Sequence, residues 1–155
     1  EPLIQKQFSR IMSLKDGQKK MSKSELSDLG RINLTDKKDQ IVNKIKKAKT
    51  DPLPMPSTNQ ELDKRPEAKN LIGIYSSLTN LSLEKIIADF SGKNFSEFKD
   101  SLSQVLIDKI TPISNEIKKL LNDKSYLDTT LLEGSSKASE IASKKIKEIH
   151  KIVGF

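Results

Sequence analysis

Residues Lys19–Ser24 read K-K-M-S-K-S, and Arg10-Ile11-Met12-Ser13-Leu14 runs into them. A transition state that spreads negative charge over a leaving group needs compact cations and donors aimed where that charge develops. Lysine suits the task, because its ammonium is a point charge on a long stem. Ser22 and Ser24 add hydroxyl donors, and the backbone N–H groups of a tight loop form a nest for anions. Met21, between the two lysines, is a flexible apolar plug that anchors such a loop. The plainer reading is an exposed basic loop, since the chain is rich in Lys and Ser.

Charge placement favours a polyanionic partner. The 155 residues carry a net charge of +7. Residues 1–49 hold 13 Lys and Arg against six acids, whereas residues 50–155 hold 15 of each sign. The whole excess therefore surrounds K-M-S-K-S and the segment after it, where it attracts phosphates. For any single lysine the alternative is a solvated face. The absence of Cys excludes a disulfide framework and cysteine-based metal sites. The one histidine, His150, builds no His-rich site and reads as a surface residue. No apolar run approaches a membrane span, so a soluble cytoplasmic protein without membrane association is expected. The sequence begins at Glu1 within an already patterned segment and reads as a fragment.

The chain then reads as mainly α. Residues 9–14 predict a short strand, with Asp16-Gly17 as turn and a loop after it. Residues 30–34 predict a second extended piece, and Thr35 or Asp36 an N-cap. Ile41, Ile45 and Ala48 form one helical stripe, with Lys38, Lys44, Lys46, Lys47 and Lys49 on other faces. Asp51–Pro66, with four of the six prolines, predicts an exposed loop prone to disorder and proteolysis. Leu71, Ile74, Tyr75 and Leu78 form the next stripe. Ser82 caps a helix that stops at Gly92.

Asn94 and Glu97 predict the start of a long helix burying Phe95, Phe98, Leu102, Val105, Leu106 and Ile110. Its stripe continues through Ile113, Ile117, Leu120 and Leu121, and Pro112 should kink or split it. Ser125 and Asp128 predict the cap of the last helix. Its stripe is Leu127, Leu131, Ala138, Ile141, Ala142, Lys145 and Ile149, with Gly134 marking a close crossing or a break. Residues 67–155 offer no clustered carboxylate pair, no nucleophile triad and no glycine-rich phosphate loop.

Lys20–Ser24 spell the K-M-S-K-S signature of class I aminoacyl-tRNA synthetases. The whole chain resembles the bacterial tryptophanyl type. Glu1–Ile4, R-I-M-S-L and Asp16 resemble that family's approach to the loop, and Ile41–Asp51 its basic helix. Arg65–Ser76 (R-P-E-A-K-N-L-I-G-I-Y-S) resembles its R-P-x-x-x-N-L pattern. Leu131–Ala142 falls in register with its C-terminal half. Arg65–Ser76 and the Gly134, Lys137, Ala138 and Ala142 pattern favour tryptophan over tyrosine.

The resemblance implies a tryptophan–tRNA ligase that activates tryptophan with ATP, accompanied by Mg2+, and transfers it to its tRNA. Ile11 would contact adenine through its backbone. Lys20, Met21, Ser22, Lys23 and Ser24 would bind the ATP phosphates, with Lys20 and Lys23 as the catalytic cations. Lys44, Lys46, Lys47 and Lys49 are candidate tRNA contacts. Residues 1–34 would be the end of a Rossmann-type α/β catalytic domain. Residues 35–155 would be a helical bundle on the anticodon side. The family's H-I-G-H-like signature and tryptophan pocket are absent from this sequence, so the fragment alone is expected to be inactive. A homodimer is implied for the full-length protein. Two other readings stand beside this one. One is a stand-alone basic helical module that binds RNA, the other a fragment of a tyrosyl-type class I synthetase.

Overall fold

The structure, a computed structural model, describes residues 8–154. Glu1–Ile4, part of the resemblance, lie outside the described residues. A two-stranded antiparallel hairpin, β1 (Met12–Ser13) and β2 (Asp16–Lys20), is followed by a 3-10 turn at Asp28–Gly30. Six helices follow: α1 (Lys38–Lys46), α2 (Asn59–Asp63), α3 (Pro66–Thr79), α4 (Leu83–Phe90), α5 (Phe95–Asn122) and α6 (Lys124–Val153). The mainly helical fold with short extended segments is the one expected. By backbone contacts the chain divides into two compact units, Glu1–Ser114 and Asn115–Phe155.

In the first unit one core gathers Leu14 from the hairpin turn with Ile41 and Ile45 of α1. Leu62 of α2, Leu71 and Ile72 of α3, Ile86 of α4, and Phe98 and Leu102 of α5 complete it; all are at most 2% exposed. Each such side chain contributes on the order of 1.5–3 kcal/mol when fully buried. Tyr75, Phe90 and Phe98 pack ring against ring, with centroids 5.0 to 5.7 Å apart. The predicted stripes of α1 and α3 thus form the core, joined by Ile72. Ser82 caps α4 by accepting the Lys85 N–H at 3.3 Å, and Gly92 follows its end with φ 71°.

Several local expectations give way to tertiary structure. The hairpin turn is at Leu14–Lys15, and Asp16-Gly17 begin β2, whose far end includes Lys19 and Lys20. The register pairs Met12 with Lys20 and Ser13 with Asp16, with a bulge between. Residues 31–34 join no sheet. Neither Thr35 nor Asp36 caps α1: Lys37 takes that position and donates its N–H to Gln40 Oε1 at 2.8 Å, while Asp36 is buried.

The proline-rich segment is anchored rather than loose. It contains α2, capped by Thr58, and buries Met55 and Pro56. Arg65 holds it by donating to both oxygens of Asp51 and to the carbonyls of Leu53 and Pro54. α5 runs unbroken through Pro112, which forgoes one backbone bond.

In the second unit Asp123, not Ser125, caps α6, accepting the Tyr126 N–H at 3.0 Å. Gly134 neither breaks α6 nor sits at a close crossing among the described residues; a Cβ there would meet no atom within 4 Å. Of the expected α6 stripe only Leu127 is half-buried; Leu131, Ile141 and Ile149 are exposed. Ile113, Leu120 and Leu121, predicted to be core, are exposed as well.

Candidate functional site

The hairpin is fixed from three sides. Asn70 on α3 clamps β1 as a surrogate strand: Oδ1 accepts the Met12 N–H at 2.9 Å, and Nδ2 donates to the Met12 carbonyl at 2.9 Å. The Leu14 N–H reaches the Gly30 carbonyl at 2.9 Å, and the Leu14 carbonyl accepts the Lys49 N–H at 2.7 Å. Gly17 lies against the backbone at Pro66 and Glu67, where a Cβ would come within 2.6 Å of a backbone carbon. Asp16 stiffens the start of β2. The Gln18 N–H donated to its Oδ1 at 3.0 Å is the largest influence holding its carboxyl below the usual aspartate value of 3.8.

The K-M-S-K-S segment leaves this scaffold at Lys20. Met21 returns to it, its N–H donating to the Ile11 carbonyl at 3.0 Å and its half-buried side chain packing on the core. Ser22 and Ser24 face each other, hydroxyl to hydroxyl at 2.9 Å, and Ser22 Oγ also accepts the Ser24 N–H at 3.3 Å. Lys20 and Lys23 are exposed. Among the described residues neither pairs with a carboxylate. Their charge is thus not neutralised within the described part of the fold.

Ile11, Lys20, Met21, Ser22 and Lys23 line one cavity of about 560 Å³, together with Arg31. Five of the six residues expected to bind the nucleotide thus converge. Ser24 lines an adjoining hollow of about 600 Å³ instead, which shares Lys20 and Ser22 with the first and adds Ser13, Asp16 and Glu25. The Ile11 carbonyl accepts the Met21 N–H.

Of the four lysines expected to meet tRNA, Lys46, Lys47 and Lys49 are exposed and Lys44 is not. Lys44 is 3% exposed, with its ammonium 2.6 Å from Asp36 Oδ2 and 2.5 Å from Asp28 Oδ2. The Lys44 hydrogen bond is the main cause holding the Asp28 carboxyl below its usual value. Burial and two carboxylates remove Lys44 from the solvent face that a phosphate contact needs. Lys49 pairs with Glu67 at 2.9 Å, and the Glu67 hydrogen bond raises its pKa.

A family model of tRNA synthetases class I (W and Y) matches residues 1–111. The chain belongs to that family. It is 48% identical over all 155 residues to the tryptophan–tRNA ligase of Agrobacterium fabrum, of which it covers 44%, and 48% identical to that of Rickettsia conorii, of which it covers 46%. The chain thus spans less than half the length of these curated relatives. A crystal structure of tryptophanyl-tRNA synthetase from Campylobacter jejuni complexed with ADP and tryptophan has the same fold. That match has a TM-score of 0.74 at 20% identity and covers 100% of this chain and 46% of that one. The Mycoplasma pneumoniae tryptophanyl-tRNA synthetase gives 0.73 at 24% identity, covering 97% and 45%.

Within this synthetase-family chain the motif reading missed the supports. Asn70 was visible as an amide opening the apolar run N-L-I-G-I in Arg65–Ser76, a polar group that burial obliges to find partners. Lys99 on α5 is buried beneath the end of α1. Its ammonium donates to the Ala48 carbonyl at 2.7 Å and the Lys46 carbonyl at 3.3 Å, and burial lowers its pKa. Arg31 and its acidic partners carried no sequence signal beyond their charge.

Proposed function

We propose that this chain works as the C-terminal part of a tryptophan–tRNA ligase, truncated from a Rossmann-type catalytic domain. It supplies the ATP-phosphate loop and the helices that meet tRNA. The observation that carries this is the shared cavity of Ile11, Lys20, Met21, Ser22 and Lys23, with two exposed ammonium groups unmatched by carboxylates among the described residues. The similarity to tryptophan–tRNA ligases over the full chain supports the choice of amino acid.

In the reaction, the tryptophan carboxylate attacks the α-phosphorus of ATP, the bond to the bridging oxygen breaks, and pyrophosphate leaves. Lys20 and Lys23, with the Ser22 hydroxyl, stabilise charge developing on the leaving group. Ser24 braces the segment through Ser22. Adenine lies against Ile11 and Met21. Mg2+ would accompany ATP, held through its phosphate oxygens. Lys46 and Lys47 serve tRNA phosphates. Residues 1–34 close the catalytic domain, and residues 35–155 form the tRNA side. The partner half supplies the tryptophan pocket and the dimer contact. As part of a tryptophan–tRNA ligase the chain acts in the cytoplasm, and no described helix is long and apolar enough to cross a membrane.

The deciding experiment is amino-acid-dependent pyrophosphate exchange by the full-length protein. Exchange with tryptophan and not tyrosine is expected, and the isolated chain should be silent. Exchange with tyrosine alone would transfer the reading to the tyrosyl type. The charge excess of residues 1–49 favours a second reading, an RNA-binding module without chemistry. Absence of any exchange with retained tRNA binding would select it.

A further inference from the structure

The segment carrying Lys23 is short and held at both ends. Upstream, the Met21 N–H is bonded to the Ile11 carbonyl at 3.0 Å. Downstream, Arg31 Nη1 donates to the Glu25 carbonyl at 2.9 Å. Only Ser22, Lys23 and Ser24 lie between these two fixed points. Each Arg31 nitrogen has a partner within the fold: Nε donates to Asn33 Oδ1 at 3.3 Å, and Nη2 lies 2.9 Å from Asp28 Oδ1. Asp28 in turn is bound to Lys44, and Lys44 to the buried Asp36, which also accepts the Asn33 N–H at 2.9 Å. The Arg31 guanidinium is thereby tied to α1, and Glu25 is tied to Arg31. The Glu25 carboxylate adds a weaker hold, accepting from Ser13 Oγ at 3.4 Å and filling the space that a side chain at Gly30 would need.

We infer that Arg31 is a positioning residue for adenylate formation, a fork that fixes the downstream end of the K-M-S-K-S segment and so sets where Lys23 is presented. The inference rests on the ATP-loop reading above. A planar guanidinium holds its acceptors in a fixed fork of set directions, whereas an ammonium is a compact point charge whose donors rotate about one bond. A small misplacement of a catalytic group is enough to cost a large factor in rate.

The test compares Arg31→Gln, Arg31→Lys and Lys23→Ala in the full-length protein, by pyrophosphate exchange and by backbone amide hydrogen exchange over residues 22–26. Both Arg31 variants should lower kcat by roughly ten- to a hundredfold. The KM for tryptophan should stay unchanged, and amide exchange over residues 22–26 should rise. Arg31→Lys keeps the cation and most of the stem, so it separates positioning from folding if Arg31→Gln unfolds. Unchanged amide exchange in Arg31→Lys overturns the inference. So does a raised KM for ATP with unaltered amide exchange, because Arg31 would then be touching phosphate itself. If Lys23→Ala keeps full turnover, the ATP-loop reading fails. If Lys23→Ala is slow while both Arg31 variants are fast, the positioning role alone fails.

Discussion

The Lys44 ammonium lies 2.6 Å from Asp36 Oδ2, with both side chains 4% exposed, so a lysine from the basic helix is an internal cation. Its second partner, Asp28, is about half exposed, and this three-charge cluster joins the segment after K-M-S-K-S to α1. Removing one member of a buried pair leaves the other uncompensated, which costs about 3–5 kcal/mol. Lys44→Met should therefore lower unfolding free energy by an amount in that range in urea titration. Adding Asp36→Asn should recover part of the loss. Strictly additive losses in the double-mutant cycle would show that the pair is not coupled.

Lys23 stands at the middle of the tethered segment, exposed and beside the cavity shared with Lys20 and Ile11. Losing one preorganised donor to a developing anion costs about 2.7–4 kcal/mol of barrier. Lys23→Ala in the full-length protein should slow adenylate formation by about that amount, read by single-turnover kinetics, with its melting temperature unchanged. Wild-type rates in that variant would remove Lys23 from the chemistry.

Asp51 anchors the proline-rich segment through Arg65, with contacts of 2.8 and 2.6 Å, and through the Leu53 N–H at 3.0 Å. Burial by itself raises the Asp51 carboxyl, and the Arg65 and backbone hydrogen bonds outweigh it, so the net pKa is below 3.8. A carboxylate depressed in the folded state stabilises fully above its unfolded value and loses that contribution as pH falls through the folded one. Wild-type stability should therefore decline more steeply on acidification below 3.8 than that of Asp51→Asn. Thermal unfolding followed from about pH 6 to about pH 2.5 reads the difference. Parallel curves would show that the pair contributes nothing measurable.

What could be read from the letters follows from how local each signal is. Ile41, Ile45 and Ala48 announce α1 because their spacing alone puts them on one face. K-M-S-K-S stands out as a candidate phosphate loop because five adjacent residues carry the pattern, and the fold puts four of them on one cavity. Lys44 looks like its exposed neighbours Lys46 and Lys47, because its carboxylate partners lie eight and sixteen positions upstream and only the fold brings them close. Pro112 reads as a breaker by propensity, yet α5 runs through it, one lost bond being small against a long helix. Arg65 belongs to a helix-start pattern in sequence, and in space it ties down the loop that its prolines made look free. Asn70 had the shape of an anomaly, an amide on an apolar face, and became the clamp on β1.

Two glycines that look alike in composition should behave oppositely. At Gly17 a new Cβ would approach the Pro66 carbon at 2.6 Å and the Glu67 nitrogen at 2.7 Å, and both are backbone atoms. Relief requires moving β2 or the start of α3, so Gly17→Ala should destabilise by about 1–3 kcal/mol, the usual range for overpacking. Because β2 leads into Lys20, the same change should also slow adenylate formation in the full-length protein. At Gly134, inside α6, a Cβ meets no atom within 4 Å. Alanine there removes the helix penalty of glycine and should stabilise by about 0.5–1 kcal/mol. Urea titration of the two variants checks the opposite signs. A stabilising Gly17→Ala would mean that the hairpin is not pressed against α3 and that this packing does not position Lys20.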